Sequence, residues 1–100
     1  LVVVAAEFGR TPRITRSNAG REHHPDCFSV VFAGGGARGG QVVGQSDRIA
    51  ARPATPPISP ADFTATIYHL LGVDPGAEVH DQGGRPIVLS RGAPIREVIG

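Results

Sequence analysis

One hundred residues carrying a net charge of +1 bound the chain to at most one domain and exclude the clustered basic surface that an electrostatic grip on nucleic acid needs. All ten basic side chains are Arg, so these residues hold no Schiff-base or phosphate-loop lysine, and the single Cys27 excludes an internal disulfide. Four Phe, one Tyr and no Trp offer no stacking platform for bases, and no apolar run approaches the roughly 20 residues of a membrane helix.

The run Leu1–Ala6 is continuously apolar and rich in valine, the pattern of a strand buried on both faces of a parallel sheet. It contains no initiator Met and opens in mid-strand, so the chain reads as a piece of something longer whose N-terminal part supplies the rest of the sheet. Glu7-Phe8-Gly9-Arg10-Thr11-Pro12 follows, and the residue before a proline is pushed out of the helical region. Residues 13–26 are polar and aperiodic and read as a long loop, a length that compact domains usually reserve for function or disorder.

Cys27–Ala33 is the second predicted strand, again nearly all apolar, and it stops at Gly34-Gly35-Gly36. Gly39–Gly44 reads as a short strand or edge after a glycine turn. Residues 46–59, with Pro53, Pro56 and Pro57, read as an extended connection. One helix is predicted at about 60–71. Ser59 is a good N-cap, Pro60 loses nothing at the first helical position, and Asp62 completes a capping box. Phe63, Ile67, Leu70 and Leu71 form an apolar stripe expected to face a sheet, and Gly72 and Pro75 stop the helix. His80–Arg85 reads as a turn, residues 86–89 as a short edge strand and residues 94–99 as a last helical turn.

Strand ends in α/β proteins are where loops converge on a rigid sheet edge, so Glu7 is the first candidate for chemistry. A carboxylate there can ligate a hard or borderline metal or orient a water; it can equally accept the N–H groups of its own turn or pair with Arg10. His23 and His24 are the second candidate, because neutral imidazole is the commonest metal ligand and the usual acid/base group near neutrality. Adjacent side chains in extended backbone point to opposite sides, so at most one of the two is expected to face a site. Arg10 and Arg21 flank the same loop with guanidinium forks suited to phosphate or sulfate. The glycine cluster at 34–40 lacks the Gly-Lys-Ser/Thr ending and the following helix of a phosphate loop, so it reads as a turn between strands. Cys27 is read as packed rather than reactive.

With these residues assembled, the chain resembles the C-terminal part of the sulfatase-like domain of unknown function 1501 family, itself related to the alkaline phosphatase and sulfatase superfamily. The carriers are Glu7–Pro12, Asn18–Pro25, Phe32–Gly36, Ala65–Pro75, and His80-Asp81 with Gly84-Arg85-Pro86. The resemblance implies an α/β fold, the C-terminal part of an α/β/α sandwich of mostly buried strands, with residues 1–100 as one portion of a single domain. It implies a divalent metal ion at one or two sites and a small anionic ester as substrate. In that superfamily the strand equivalent to Val2–Ala6 ends in Asp-His-Gly. Glu7 falls at the Asp, Gly9 at the Gly, and His23 where a later metal-binding His stands before the next strand. The resemblance therefore assigns Glu7 and His23 as metal ligands, with His24, Arg10 and Arg21 as contacts to them or to the substrate anion.

One position departs from the pattern. Phe8 stands where the superfamily has a metal-ligating His, so a two-metal arrangement lacks a ligand, and either the metal site is single or rebuilt or the chain is a catalytically degenerate binding or scaffold relative. The nucleophile falls outside these residues. Families of this kind are often exported, which leaves an extracytoplasmic setting open, and the sequence does not set substrate, metal or oligomeric state.

Overall fold

The computed structural model describes every residue, 1–100. In chain order it holds β1 (Val2–Val4), β2 (Gly9–Arg10), β3 (His23–His24), β4 (Val31–Ala33), α1 (Pro60–Leu70), β5 (Glu78–His80), β6 (Pro86–Val88) and α2 (Arg96–Ile99). The class is α/β in the broad sense, helices with small pairs of strands. The strands pair two by two, β1 with β4, β2 with β3 and β5 with β6, and the latter two pairs are antiparallel. The chain divides into two compact units, one of Leu1–Val2, Phe32–Gln41 and Ile58–Gly100, the other of Val3–Val31 and Val42–Pro57.

The first unit is built on α1, which begins as its sequence dictates. Ser59 Oγ accepts the Asp62 N–H and Asp62 Oδ2 accepts the Ser59 N–H, each at 3.0 Å, so the capping box is closed in both directions. Leu71 caps the other end, and Gly72 follows at φ 78°, a left-handed turn that glycine takes without strain. The buried face lies one step round the helix from the expected stripe. Ala65 and Thr66 are fully buried, while Phe63, Ile67 and Leu70 are only partly covered and Leu71 is 61% exposed.

The segment before α2 explains that shift. Ser90 Oγ donates to the Ala61 carbonyl at 2.7 Å, the Ala93 N–H donates to Asp62 Oδ1 at 2.9 Å, and the Ile95 N–H donates to Thr66 Oγ1 at 2.9 Å. A Cβ at Gly92 would overlap the backbone of Ala61 and Asp62, so only glycine lets this segment approach the helix so closely. The same unit includes an edge-on contact of Phe32 with Phe63, ring centroids 5.5 Å apart. Its hairpin pairs Glu78 with Val88, Val79 with Ile87 and His80 with Pro86. Asp81 Oδ1 closes the hairpin turn by accepting the N–H groups of Gly83 and Arg85, both at 2.9 Å. The predicted turn, edge strand and last helical turn thus form, and β5, which ends at His80 where the turn begins, is a strand the sequence reading did not place.

The expectation of buried strands is corrected. Only Val2–Val4 of the first apolar run is a strand, and Val2 and Val4 are each 61% exposed. Only Val31–Ala33 of the second is a strand, with Phe28 and Val31 exposed. Gly39–Gly44 forms no strand, and Val42 lies in solvent. Burial on both faces of a parallel strand needs neighbouring strands and covering helices, and pairs of three-residue strands bring neither.

The second unit corrects the reading of residues 13–26 as a plain loop. The ladder pairs Gly9 with His24 and Arg10 with His23. It continues through the Thr11 N–H to the Glu22 carbonyl at 3.0 Å and resumes as a Thr15–Gly20 bridge. The register shifts by two residues between those points, so Pro12–Ile14 bulge out of one arm. Asn18 Oδ1 accepts the Gly20 N–H at 2.9 Å and closes the tip. The same unit contains a tight reversal between Ser46 and Pro53, which form an isolated bridge.

Candidate metal and anion site

Every site residue expected from the sequence falls in the second unit, on or beside one hairpin. Glu7 sits in the bend between β1 and β2; it is exposed, and no hydrogen bond or ion pair engages its carboxylate. The alternative in which Glu7 accepts its own turn's N–H groups or pairs with Arg10 is therefore not what the chain does. Gly9 is required where it stands, because a Cβ there would overlap the Cys27 carbonyl oxygen and press on the His24 carbonyl and Phe28. That close approach brings Gly9, two residues after Glu7, against the arm that carries the histidines.

The two histidines behave differently, as alternation along a strand demands. The exposed His23 lays its ring on Phe8, centroids 3.9 Å apart and planes tilted by 32°. Arg10 completes the stack, its guanidinium carbon 5.6 Å from the Phe8 ring centre. His24 is half-buried, and its Nε2 lies 2.7 Å from the carbonyl oxygen of Ala51, 27 residues further on. A ring nitrogen facing a carbonyl oxygen carries a proton, so Nε2 is the donor of this bond.

Both arginines spend part of their forks on the hairpin. Arg21 Nη1 donates to the carbonyls of Thr11 and Pro12 at 2.8 and 2.6 Å, and Arg10 Nη1 donates to the Arg21 carbonyl at 3.1 Å. These bonds bridge the bulge, where the backbone ladder is broken, and leave the other guanidinium nitrogens without protein partners. Neither arginine forms an ion pair with a carboxylate, so both positive charges stay available to an anion.

A free carboxylate and an imidazole with one nitrogen already anchored are the donor types that divalent ions take. No third His, Cys, Asp or Glu joins them to make a closed site. A surface hollow of about 540 Å³ lies at the bulge and tip, lined by Arg13, Ile14, Thr15 and Arg16, and includes none of Glu7, His23 and His24.

The sequence of residues 1–99 matches the family described as Protein of unknown function (DUF1501). The chain belongs to that family. No match is found among the curated proteins or among the solved structures. Within the matched residues, the Glu7–Pro12 and Asn18–Pro25 segments are the two arms of the β2–β3 hairpin. No helix of this DUF1501 chain is long and apolar enough to cross a membrane.

The partner of His24 escaped the sequence reading. Ala51 offers only a backbone carbonyl, which no residue pattern can announce. The one available signal was Asp47, an aspartate opening a turn, which the reading passed over as part of an extended connection.

Proposed function

We propose that this DUF1501 chain carries part of the metal site of a hydrolase acting on phosphate or sulfate esters. It would be the C-terminal portion of one domain, an α/β/α sandwich of the alkaline phosphatase and sulfatase type. The observation that supports it best is the ladder pairing Gly9, two residues after Glu7, with His24, and Arg10 with His23, which brings the two segments of the resemblance together in one hairpin. Glu7 and a histidine of that pair, His23 by position in the superfamily pattern, would hold a divalent ion. When bound, such an ion polarises an ester oxygen and stabilises the charge that develops on it.

The chain's own residues would do the rest. Glu7 offers an uncompensated carboxylate. Arg10 and Arg21 are fixed by bonds to backbone carbonyls, so their remaining N–H groups are pre-aimed and can balance a phosphate or sulfate. A small anionic ester is the substrate class these charges suit.

A second reading has its own observation. Phe8 stands at the position of a superfamily ligand and is used in packing, stacked on His23. A catalytically degenerate binding or scaffold protein would retain the fold in this way. Metal analysis of the purified protein, wild type beside Glu7→Ala, separates the two. A bound divalent ion that the substitution removes supports the hydrolase; equal metal content in both proteins sinks the assignment of Glu7.

A further inference from the structure

We propose that β5 pairs edge to edge, antiparallel, with β5 of a second copy of this chain. In that pairing Glu78 lies opposite the partner's His80, and Val79 lies opposite the partner's Val79 on a two-fold axis. The inference is independent of the metal-site reading above and lies wholly within the first unit. Three observations carry it.

The first is an open edge. β5 and β6 form a sheet of two strands, and Glu78, Val79 and His80 are all exposed. The Leu89 N–H donates to the Ala77 carbonyl at 2.9 Å, and the Asp81 N–H donates to the Arg85 carbonyl at 3.0 Å. Bonded pairs alternate along an antiparallel ladder, so Val79–Ile87 is the bonded pair between them. The N–H and C=O groups of Glu78 and His80 therefore point away from β6, and no other segment bonds to them. Self-pairing centred on Val79 satisfies them all. Glu78 and the partner's His80 exchange two bonds, and symmetry repeats the exchange.

The second is a difference between the two strands. Natural sheets blunt their free edges with proline, lysine or bulges. The outer edge of β6 carries Pro86, which has no N–H to offer. The outer edge of β5 carries no such device.

The third is self-complementary chemistry. About Val79, the sequence Glu-Val-His sets a carboxylate opposite an imidazole in both directions, and neither side chain forms an ion pair within its own chain. The neighbouring registers with the same bond alternation are poorer. One sets Glu78 against Glu78, which repels, and the other sets His80 against His80 and leaves both carboxylates without a cation. On the other face Val79 and Ile87 lie side by side, 49% and 43% exposed. Pairing joins them to their copies in one apolar row across the two hairpins. A contact of this length is small beside the roughly 1,200–2,000 Å² of a standard interface, so the dimer is weak and concentration-dependent.

The test is sedimentation equilibrium of the purified protein from about 10 μM to 1 mM, the range of weak association. The mean mass of wild type should rise toward twice the chain mass. Glu78→Arg sets a cation opposite His80, and His80→Pro removes an outward N–H while sparing the Val79–Ile87 bond; both should stay monomeric. Exchanging the pair, Glu78→His together with His80→Glu, should restore association. Cross-linking reads the register directly. With Cys27→Ala, Val79→Cys should form a disulfide between copies under mild oxidation, because a central non-bonded pair holds its Cα atoms about 4.5 Å apart. Ile87→Cys should not. A wild type that stays monomeric overturns the inference. So does association that persists in both Glu78→Arg and His80→Pro, or a cross-link at position 87 and not at 79. An exchanged pair that remains monomeric while folded overturns the register. Circular dichroism identifies any variant that unfolds, and for those the cross-link decides.

Discussion

The rings of Phe8 and His23 stack 3.9 Å apart, so the residue that the proposed superfamily pattern would set at a metal ligand's place is packed directly on one of the two histidines of the hairpin. The contact is on a half-exposed surface and is held from one side by Arg10. Restoring an imidazole with Phe8→His should give a protein that binds a divalent ion at least tenfold more tightly than wild type. Isothermal titration of the two proteins measures the difference, and unchanged affinity would show that position 8 does not correspond to the superfamily ligand.

The start of α1 carries a pH dependence. The Ala93 N–H, followed by the backbone and side chain of Ser59, holds the Asp62 carboxyl below its ordinary value of 3.8, against a small opposing effect of burial. A carboxylate with a lowered folded pKa contributes stability that is complete above its unfolded pKa and is lost as pH falls through the folded one. Urea unfolding should therefore show wild type losing stability on acidification from about pH 4 downward. Asp62→Asn should start lower and show a shallower loss over that range; parallel curves would contradict the assignment. Ser59→Ala, which removes half of the capping box, should cost about 1 kcal/mol at neutral pH.

Thr66 is the one fully buried polar side chain, and its hydroxyl is used twice, donating to the Asp62 carbonyl at 2.7 Å and accepting the Ile95 N–H at 2.9 Å. Thr66→Val keeps the shape and strands the Ile95 N–H, at a cost of about 1–3 kcal/mol. Thr66→Ser keeps the acceptor and should cost less. Chemical denaturation of both variants checks the order, and a valine variant as stable as the serine one would show that the bond contributes nothing.

Gly9→Ala tests the approach of the two hairpin arms. The added methyl would meet the Cys27 carbonyl oxygen, a backbone atom with no rotamer to yield, so the ladder from Gly9 to His24 must open. Overpacking of this sort costs about 1–3 kcal/mol. Amide exchange at Arg10 to Thr11 and His23 to His24 should accelerate more than exchange within α1; uniform protection across both would contradict the role given to Gly9.

How much of this was legible in the sequence follows from the range of the interactions. The helix at 60–70 was readable because its signals are local: Ser59, Pro60 and Asp62 act within one turn at its start, and Gly72 stops it at its end. Its buried face was not, since that face is chosen by Gly92, Ala93 and Ile95, about 30 residues away, and the apolar stripe pointed one step to the side. The valine runs suggested strands correctly at Val2–Val4 and Val31–Ala33, but burial depends on neighbours that apolarity alone does not supply. At the site, Glu7 and the histidine pair were visible as residue types, and alternation along a strand foretold that the two rings would part company. Which ring is anchored was hidden, because its partner is a main-chain carbonyl 27 residues on.

The central claim is that this DUF1501 chain serves a metal-dependent ester hydrolase. Its most direct test is turnover of an aryl phosphate and an aryl sulfate by the purified protein, before and after chelation and in Glu7→Ala. The account predicts hydrolysis of at least one ester, loss on chelation, recovery on adding back a divalent ion, and no recovery in Glu7→Ala. Hydrolysis indifferent to both chelation and Glu7→Ala, or no hydrolysis by metal-loaded wild type, would contradict it.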